Sequence, residues 1–237
     1  SGSTWIFDPD DVDGIDNDED GYEDNFIGWD VQSNDNDPTY PDPNYSHGTN
    51  VAGCVSASTN NNTNIASVGW SVKIMAFRCS NNPDYITTGW AGILTAAQMG
   101  ANVINCSWGS FGGGNQSVIN AAYNNYGSII VASSGNGGDD GNTNFDLHYP
   151  SGLDNVISVS AIGPNDNFSC WATAGETVDF CAPGENIRTT SVGGGTVNMW
   201  GTSFSSPMTA GAVALLWSKY PSAPKEWIEE IIISSTD

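Results

Sequence analysis

The sequence predicts an α/β fold: a three-layer sandwich in which a mostly parallel central sheet carries helices on both faces. Three observations lead there. Short runs such as Val103-Ile104-Asn105-Cys106, Ile129–Ala132 and Val156–Ala161 are almost wholly apolar. Strands buried on both faces read this way, and parallel sheets are buried on both faces. Between these runs lie longer segments with helical grammar, so strands and helices alternate. The third observation is size. At 237 residues the chain can bury about 70% of the surface its unfolded form exposes. Apolar residues make up 38%, and the 28 glycines bring the total to an ordinary globular level. No internal repeat or long linker divides the chain, so residues 1–237 are expected to form one domain.

Taken in order, residues 8–24 form an acidic block holding 10 of the 27 carboxylates, and residues 31–46 read as an Asn/Asp/Pro-rich loop. Val51–Ala57 is small and apolar, which predicts a buried helix. Val72–Phe77 reads as a buried strand, and Thr87–Met99 as a helix stopped by Gly100. A second strand is expected at Val103–Cys106, a helix at Gln116–Tyr126, and strands at Ile129–Ala132 and Val156–Ala161. A long apolar helix over Phe204–Lys219 and an amphipathic stretch over Lys225–Ile233 close the chain.

Composition excludes several functions. Five Lys and Arg stand against 27 Asp and Glu, a net charge of −22. Such a chain repels nucleic acid and anionic membrane, and no apolar run is long enough to span a bilayer. The opening Ser1-Gly2-Ser3 reads as the start of a mature or trimmed segment. Scarce Lys with abundant Asn, Ser and Gly fits a secreted, extracellular protein, and a monomer is expected. The five Cys include no C-x-x-C pair and none has a His close in sequence, which argues against zinc. Cys54 and Cys106 read as core residues, whereas Cys170 and Cys181 flank a short turn that allows a disulfide.

Three elements carry candidate chemistry. His47 is one of two histidines and opens His47-Gly48-Thr49-Asn50-Val51-Ala52-Gly53. That places an imidazole at a helix start, with small residues at 48, 52 and 53 for close packing. Gly201-Thr202-Ser203-Phe204-Ser205-Ser206-Pro207 delivers Ser203 to another helix start, with Pro207 expected in the first turn. Free N–H groups and the positive dipole end collect there. Ser133-Ser134-Gly135-Asn136-Gly137-Gly138 follows an expected strand and places a side-chain amide where functional loops of parallel sheets gather. Alone, each is ordinary: a capping His, an N-cap Ser, an Asn/Gly turn. Together they supply a base, a nucleophile and an oxyanion donor.

Their order and spacing resemble the subtilisin-like serine proteases, from about Phe26 to Tyr220. The resemblance implies Ser203 as nucleophile, His47 as general base, and Asn136 with the Ser203 backbone N–H as oxyanion donors. It also implies that Ser107, Trp108 and Gly109, with Gly135, bind substrate as an added β-strand and line the primary pocket. His148, the other histidine, falls near the base of that pocket by the match of Tyr149-Pro150. Protein or peptide substrates follow. One part of the family pattern is not found: no Asp-Thr-Gly or Asp-Ser-Gly precedes His47. Asp30, after Phe26-Ile27-Gly28-Trp29, is the best internal candidate, but no glycine turn follows it. The aspartate strand is therefore expected upstream of Ser1, and the domain is expected to continue past Asp237. An inactive module that kept the fold, or a calcium-dependent structural domain, are the competing readings.

Calcium is expected at Asp16-Asn17-Asp18-Glu19-Asp20-Gly21-Tyr22-Glu23-Asp24. Carboxylates at loop positions 1, 3, 5 and 9, Gly at 6 and the Tyr22 carbonyl match the first part of a calcium loop. Position 12 is Ile27, so no complete EF-hand is present. Thr59–Asn64 resembles the family's other calcium loop, with Asn61 as the ligand that the resemblance implies.

Overall fold

A computed structural model describes residues 13–16, 21–63, 65–137 and 147–236. Strands β3 (Val103–Cys106), β4 (Ile129–Ser133), β5 (Val156–Ile162) and β6 (Phe180–Pro183) pair in that order, all parallel. The period-2 alternation of a strand sorts their side chains between two faces. Ile104, Cys106, Ile130 and Ala132 point to one side. There they meet Ile93, Ala96 and Ala97 of α2 (Gly89–Gln98) and Ile119 of α3 (Gln116–Asn120). Ile129, Val131, Ile157 and Val159 point to the other. They pack on Ala210 and Val213 of α4 (Thr202–Lys219) and Ile228 of α5 (Lys225–Ser234). Helices thus cover both faces of a parallel sheet, as its wholly apolar strands require.

The strands and helices read from sequence recur within a few residues, with three corrections. Val72–Phe77 is not a buried strand. Lys73, Ile74 and Met75 are exposed, and the strand here, β2, is only Phe77–Arg78. Its partner β1 (Trp29–Asp30) is equally short, so the ladder ends after two residues. Among the described residues no ladder joins β2 to β3, although Phe77 packs on the same core as Ile104 and Cys106. The helix from Gln116 changes to π-geometry at Ala121–Asn125 instead of staying regular to Tyr126. Cys170 and Cys181 are both free thiols, as are the other three cysteines. Cys181 sits on β6 in register with Ser160, while Cys170 is an exposed loop residue.

An antiparallel ribbon, β7 (Ile187–Thr190) with β8 (Thr196–Met199), leads into α4. It also holds α1 (His47–Ser56). Thr189 Oγ1 donates to the Asn50 carbonyl at 2.5 Å, Thr190 Oγ1 to that of Thr49 at 2.7 Å, and Asn50 Nδ2 to that of Thr190 at 2.8 Å. Gly53 makes this approach possible, since a Cβ there would lie 2.2 Å from Thr190 Oγ1. Gly48 has no such role: it is exposed, with nothing within 4 Å of where its Cβ would stand.

Candidate active site

The site lies where the carboxyl ends of β3 and β4 meet the start of α4. Ser203 is the second residue of α4, half-buried, in a turn whose N–H groups have no helical acceptor. Pro207 lies one turn further into the helix than the sequence suggested, as its sixth residue. Proline has no N–H, so the carbonyl four residues back receives no helical bond. That carbonyl belongs to Ser203, and it accepts the Ser107 hydroxyl at 2.8 Å. The break in the helix ladder therefore ties the Ser203 backbone to the end of β3. A polar chain continues behind it. Asn105 Nδ2 donates to Ser107 Oγ at 2.9 Å, and Ser206 Oγ donates to Asn105 Oδ1 at 2.7 Å. Sequence reading missed Ser206 and the anchoring part of Asn105. The signal was there: one amide in the apolar run Val103–Cys106.

Asn136 follows β4 through Gly135, whose φ of +113° suits glycine. Its Oδ1 accepts both the Thr202 N–H and the Thr202 hydroxyl at 2.9 Å. Only the oxygen of an amide accepts, so these bonds fix the orientation. The amide nitrogen is the free end of this exposed side chain, and it lies 3.4 Å from where a Cβ on Gly201 would stand, a point 3.7 Å from the Ser203 nitrogen. Thr202 also accepts the Gly135 N–H at 3.2 Å and so ties the two loops together. Its neighbour Ser203 overshadowed it in the sequence.

His47 is the first residue of α1, half-buried, its ring 6.0 Å from that of Phe204. Burial holds its pKa below the usual 6.5, which keeps the imidazole neutral near pH 7. Among the described residues no hydrogen bond links His47 to Ser203, whose hydroxyl instead donates to the Ser107 carbonyl at 3.4 Å. No carboxylate bonds the imidazole among them either. Asp30 is fully buried at the end of β1, and its carboxylate takes the Arg78 guanidinium and the Gln32 N–H. Burial alone would raise its pKa. The bonds from Arg78, Ser33 and Gln32 outweigh that and hold it below the usual range.

Ser107, Trp108 and Gly109 continue β3 along one side of Ser203. The His148 ring is wedged between them and the β4 loop. A Cβ on Gly109 would lie 2.1 Å from its Cε1, and one on Gly135 3.3 Å from its Cδ2. Phe111 meets it edge-to-face at 5.5 Å. Burial lowers the His148 pKa, against a smaller opposing effect of a hydrogen bond with the Ser133 backbone. Burial pushes the Cys79 thiol up to about 12 and that of Cys106 higher still, which disfavours either as a thiolate nucleophile.

Of the acidic loop, Asp18 and Asp20 lie outside the described residues. Asp16 Oδ2 accepts the Gly21 N–H at 2.8 Å, and the Asp24 carboxylate accepts those of Asp13 and Gly14. Gly21 makes the sharp turn at φ +94°. The side-chain donors there are all oxygens, a hard set that fits calcium. Asn61 is exposed, and its Oδ1 accepts the Thr63 N–H at 3.0 Å. The described residues contain no cluster of three metal-binding His, Cys, Asp or Glu.

Comparison with known proteins shows the family and the fold. Thermitase from Thermoactinomyces vulgaris is 38% identical over 83% of this chain and 68% of its own length. A thermophilic serine proteinase from Bacillus sp. strain AK1 is also 38% identical, over 81% of this chain and 47% of its own length. Among solved structures, a protease from Pseudoalteromonas arctica PAMC 21717 is 28% identical with a TM-score of 0.73, over 81% of this chain and 64% of that one. A cold-adapted subtilisin-like serine proteinase, 27% identical, gives 0.72 over 87% and 72%. The chain thus spans about half to two thirds of the length of the curated relatives. The model of the subtilase family matches residues 11–237, and the chain belongs to that family.

Proposed function

We propose that this chain is the catalytic domain of a secreted, monomeric serine endopeptidase acting on proteins or peptides. The observation that carries the reading is the junction at Ser203. A helix-start hydroxyl stands beside an amide whose oxygen is already engaged by Thr202. In this reading Ser203 Oγ attacks the scissile carbonyl while its proton passes to the neutral His47 imidazole. The developing oxyanion takes hydrogen bonds from Asn136 Nδ2 and the Ser203 N–H. His47 then returns the proton to the leaving amine, and water releases the acyl group by the same path in reverse. Ser107–Gly109 and Gly135 hold the acyl side of the substrate, and His148 narrows the pocket between them.

His47 needs a carboxylate to orient it, and Asp30 is committed to Arg78. We assign that role to a strand between β2 and β3, where the described sheet is interrupted. Calcium, held by Asp16, Asp18, Asp20, Asp24 and the Tyr22 carbonyl, would neutralise the acidic loop, with Asn61 serving a second ion. Charge supports the remaining assignments: at −22 the chain is repelled by nucleic acid and anionic lipid. Among the described residues no helix is long and apolar enough to cross a membrane.

The test is labelling by a small fluorophosphonate, followed by mass analysis of the intact chain and its peptides. Modification of Ser203, lost in Ser203→Ala and slowed in His47→Ala, is expected. A Ser203 that stays unmodified at high reagent concentration would favour the inactive-module reading. That reading draws support from His47, whose ring has no carboxylate partner among the described residues.

A further inference from the structure

Asn105 is out of character for its strand. It lies on β3 in register with Val131, and the two-residue period puts it on the face of Val103, which packs with Ile129, Val131 and Val213. Asn is depleted in strands, and an amide taken from water costs free energy unless it is hydrogen-bonded. This amide is used at both ends. Its Nδ2 donates to Ser107 Oγ at 2.9 Å, and its Oδ1 accepts from Ser206 Oγ at 2.7 Å. Ser206 is fully buried, three residues beyond Ser203 on α4. A serine inside a helix often turns its hydroxyl back to a carbonyl of the preceding turn. This one reaches across to the sheet instead.

The donor sense of this chain of bonds is fixed by its far end. A carbonyl only accepts, so Ser107 gives its single hydroxyl proton to the Ser203 oxygen, at 2.8 Å. The Ser107 oxygen must then be met by a donor, which is the Asn105 amide nitrogen. That turns Oδ1 to Ser206 and makes the Ser206 hydroxyl a donor. One amide therefore holds the start of α4 at two points, at Ser206 directly and at Ser203 through Ser107. We propose that Asn105 is a positioning residue for Ser203: through these two serines it fixes the main chain that carries both the Ser203 hydroxyl and the N–H that would meet the oxyanion. A misplacement of about 1 Å between reacting groups can cost on the order of 10² in rate. Asn105 thus acts on the reaction although it forms no bond to the reacting atoms. The inference rests on the endopeptidase reading above.

The rate at which a small fluorophosphonate modifies the full chain tests it. Ser203 Oγ bonds to phosphorus, fluoride leaves, and the hydroxyl proton passes to His47. The informative variant is Asn105→Asp. A protonated carboxyl replaces the amide, because its O–H donates to Ser107 and its carbonyl accepts from Ser206. Once ionised it only accepts, and it draws the Ser107 proton away from the Ser203 carbonyl. Partial burial among neutral partners raises the pH at which this happens. The variant's rate is divided by that of wild type at the same pH, which cancels the titration of His47. The ratio is expected within about threefold of unity at about pH 5 and about 30-fold lower at about pH 8. In a Ser107→Ala background the path is already cut, and the pH dependence of the ratio should vanish. If it persists there, the new charge acts on the reaction directly and the positioning role is overturned. Ser206→Ala cuts the other arm without adding charge and should slow labelling about fivefold at every pH. A flat ratio in Asn105→Asp, or an unslowed Ser206→Ala, overturns the role of Asn105 and leaves the endopeptidase reading standing. A wild type whose Ser203 is not modified at all overturns both.

Discussion

At the scale of single residues, Asn136 and Thr202 form one unit. Thr202 holds the amide oxygen through two bonds, so the amide nitrogen has one direction in which to point. Removing the donor with Asn136→Leu is expected to lower kcat by about 10²–10³ with little change in KM, a magnitude known from a member of this family. Thr202→Val, which keeps the backbone bond and removes the hydroxyl, should cost less; steady-state kinetics on one peptide checks both. The histidines supply a pH dependence. Burial lowers the pKa of both His47 and His148 below the usual 6.5. Between the folded and unfolded values the unfolded chain binds more protons, so stability rises with pH there. Their contribution is complete above about 6.5 and is lost as pH falls through the folded values. Urea midpoints should therefore decline on acidification below about pH 6.5, and less steeply in His148→Phe. A midpoint that rises on acidification would contradict the direction. His47 and Ser203 could be singled out in the sequence because their motifs are compact. Thr202's second bond and Ser206 could not, because their partners, Asn136 and Asn105, lie 66 and 101 residues away.

At the scale of elements, α1 and α4 place the proposed base and the proposed nucleophile, and each depends on one backbone exception. For α1 it is Gly53, where a Cβ would collide with the hydroxyls and backbone of Thr189 and Thr190. Gly53→Ala must push the helix from β7 and disturb the bonds to Asn50, at an expected cost of about 1–3 kcal/mol. Because His47 begins that helix, activity should fall at temperatures where the variant is still folded; melting and kinetics on the same sample separate the two effects. For α4 the exception is Pro207. Pro207→Ala restores an N–H that competes with Ser107 for the Ser203 carbonyl, so global stability should change little while kcat falls. The long strands and helices were legible because each carries a complete apolar period. The failures share a cause. β2 was read as longer and more buried than it is, because apolar letters do not reveal whether a strand has neighbours. The polar ribbon of β7 and β8 escaped notice because its stability comes from α1 packing on it.

At the scale of the whole molecule, the described sheet has two parallel pieces with no ladder between β2 and β3, while one apolar core includes both Phe77 and Cys106. The sequence pattern foresaw a parallel sheet with helices on both faces, and it held no family-type aspartate motif before His47. It did not show that both are one problem. A strand inserted between β2 and β3 would pair with two open edges. It would also bring its carboxyl end to the level where β3 and β4 deliver Ser107 and Asn136. A carboxylate there can accept the imidazole N–H of His47, fix its tautomer and stabilise the imidazolium formed during attack. We therefore expect this 237-residue chain to hydrolyse peptides about 10⁴-fold more slowly than a longer form that supplies such a strand, since loss of that carboxylate alone has this effect in serine proteases. The same strand should stabilise the fold by pairing both edges, so melting temperature and turnover should rise together. Replacing only its aspartate with asparagine separates the two: the melting gain should remain and the rate gain should vanish. Equal turnover by the short and long forms would show that a carboxylate already within this chain serves His47, and Asp30→Asn in the short form would then be the decisive variant. Because the bond to Arg78 uses that carboxylate, the outcome expected for Asp30→Asn is a loss of stability with the residual rate unchanged.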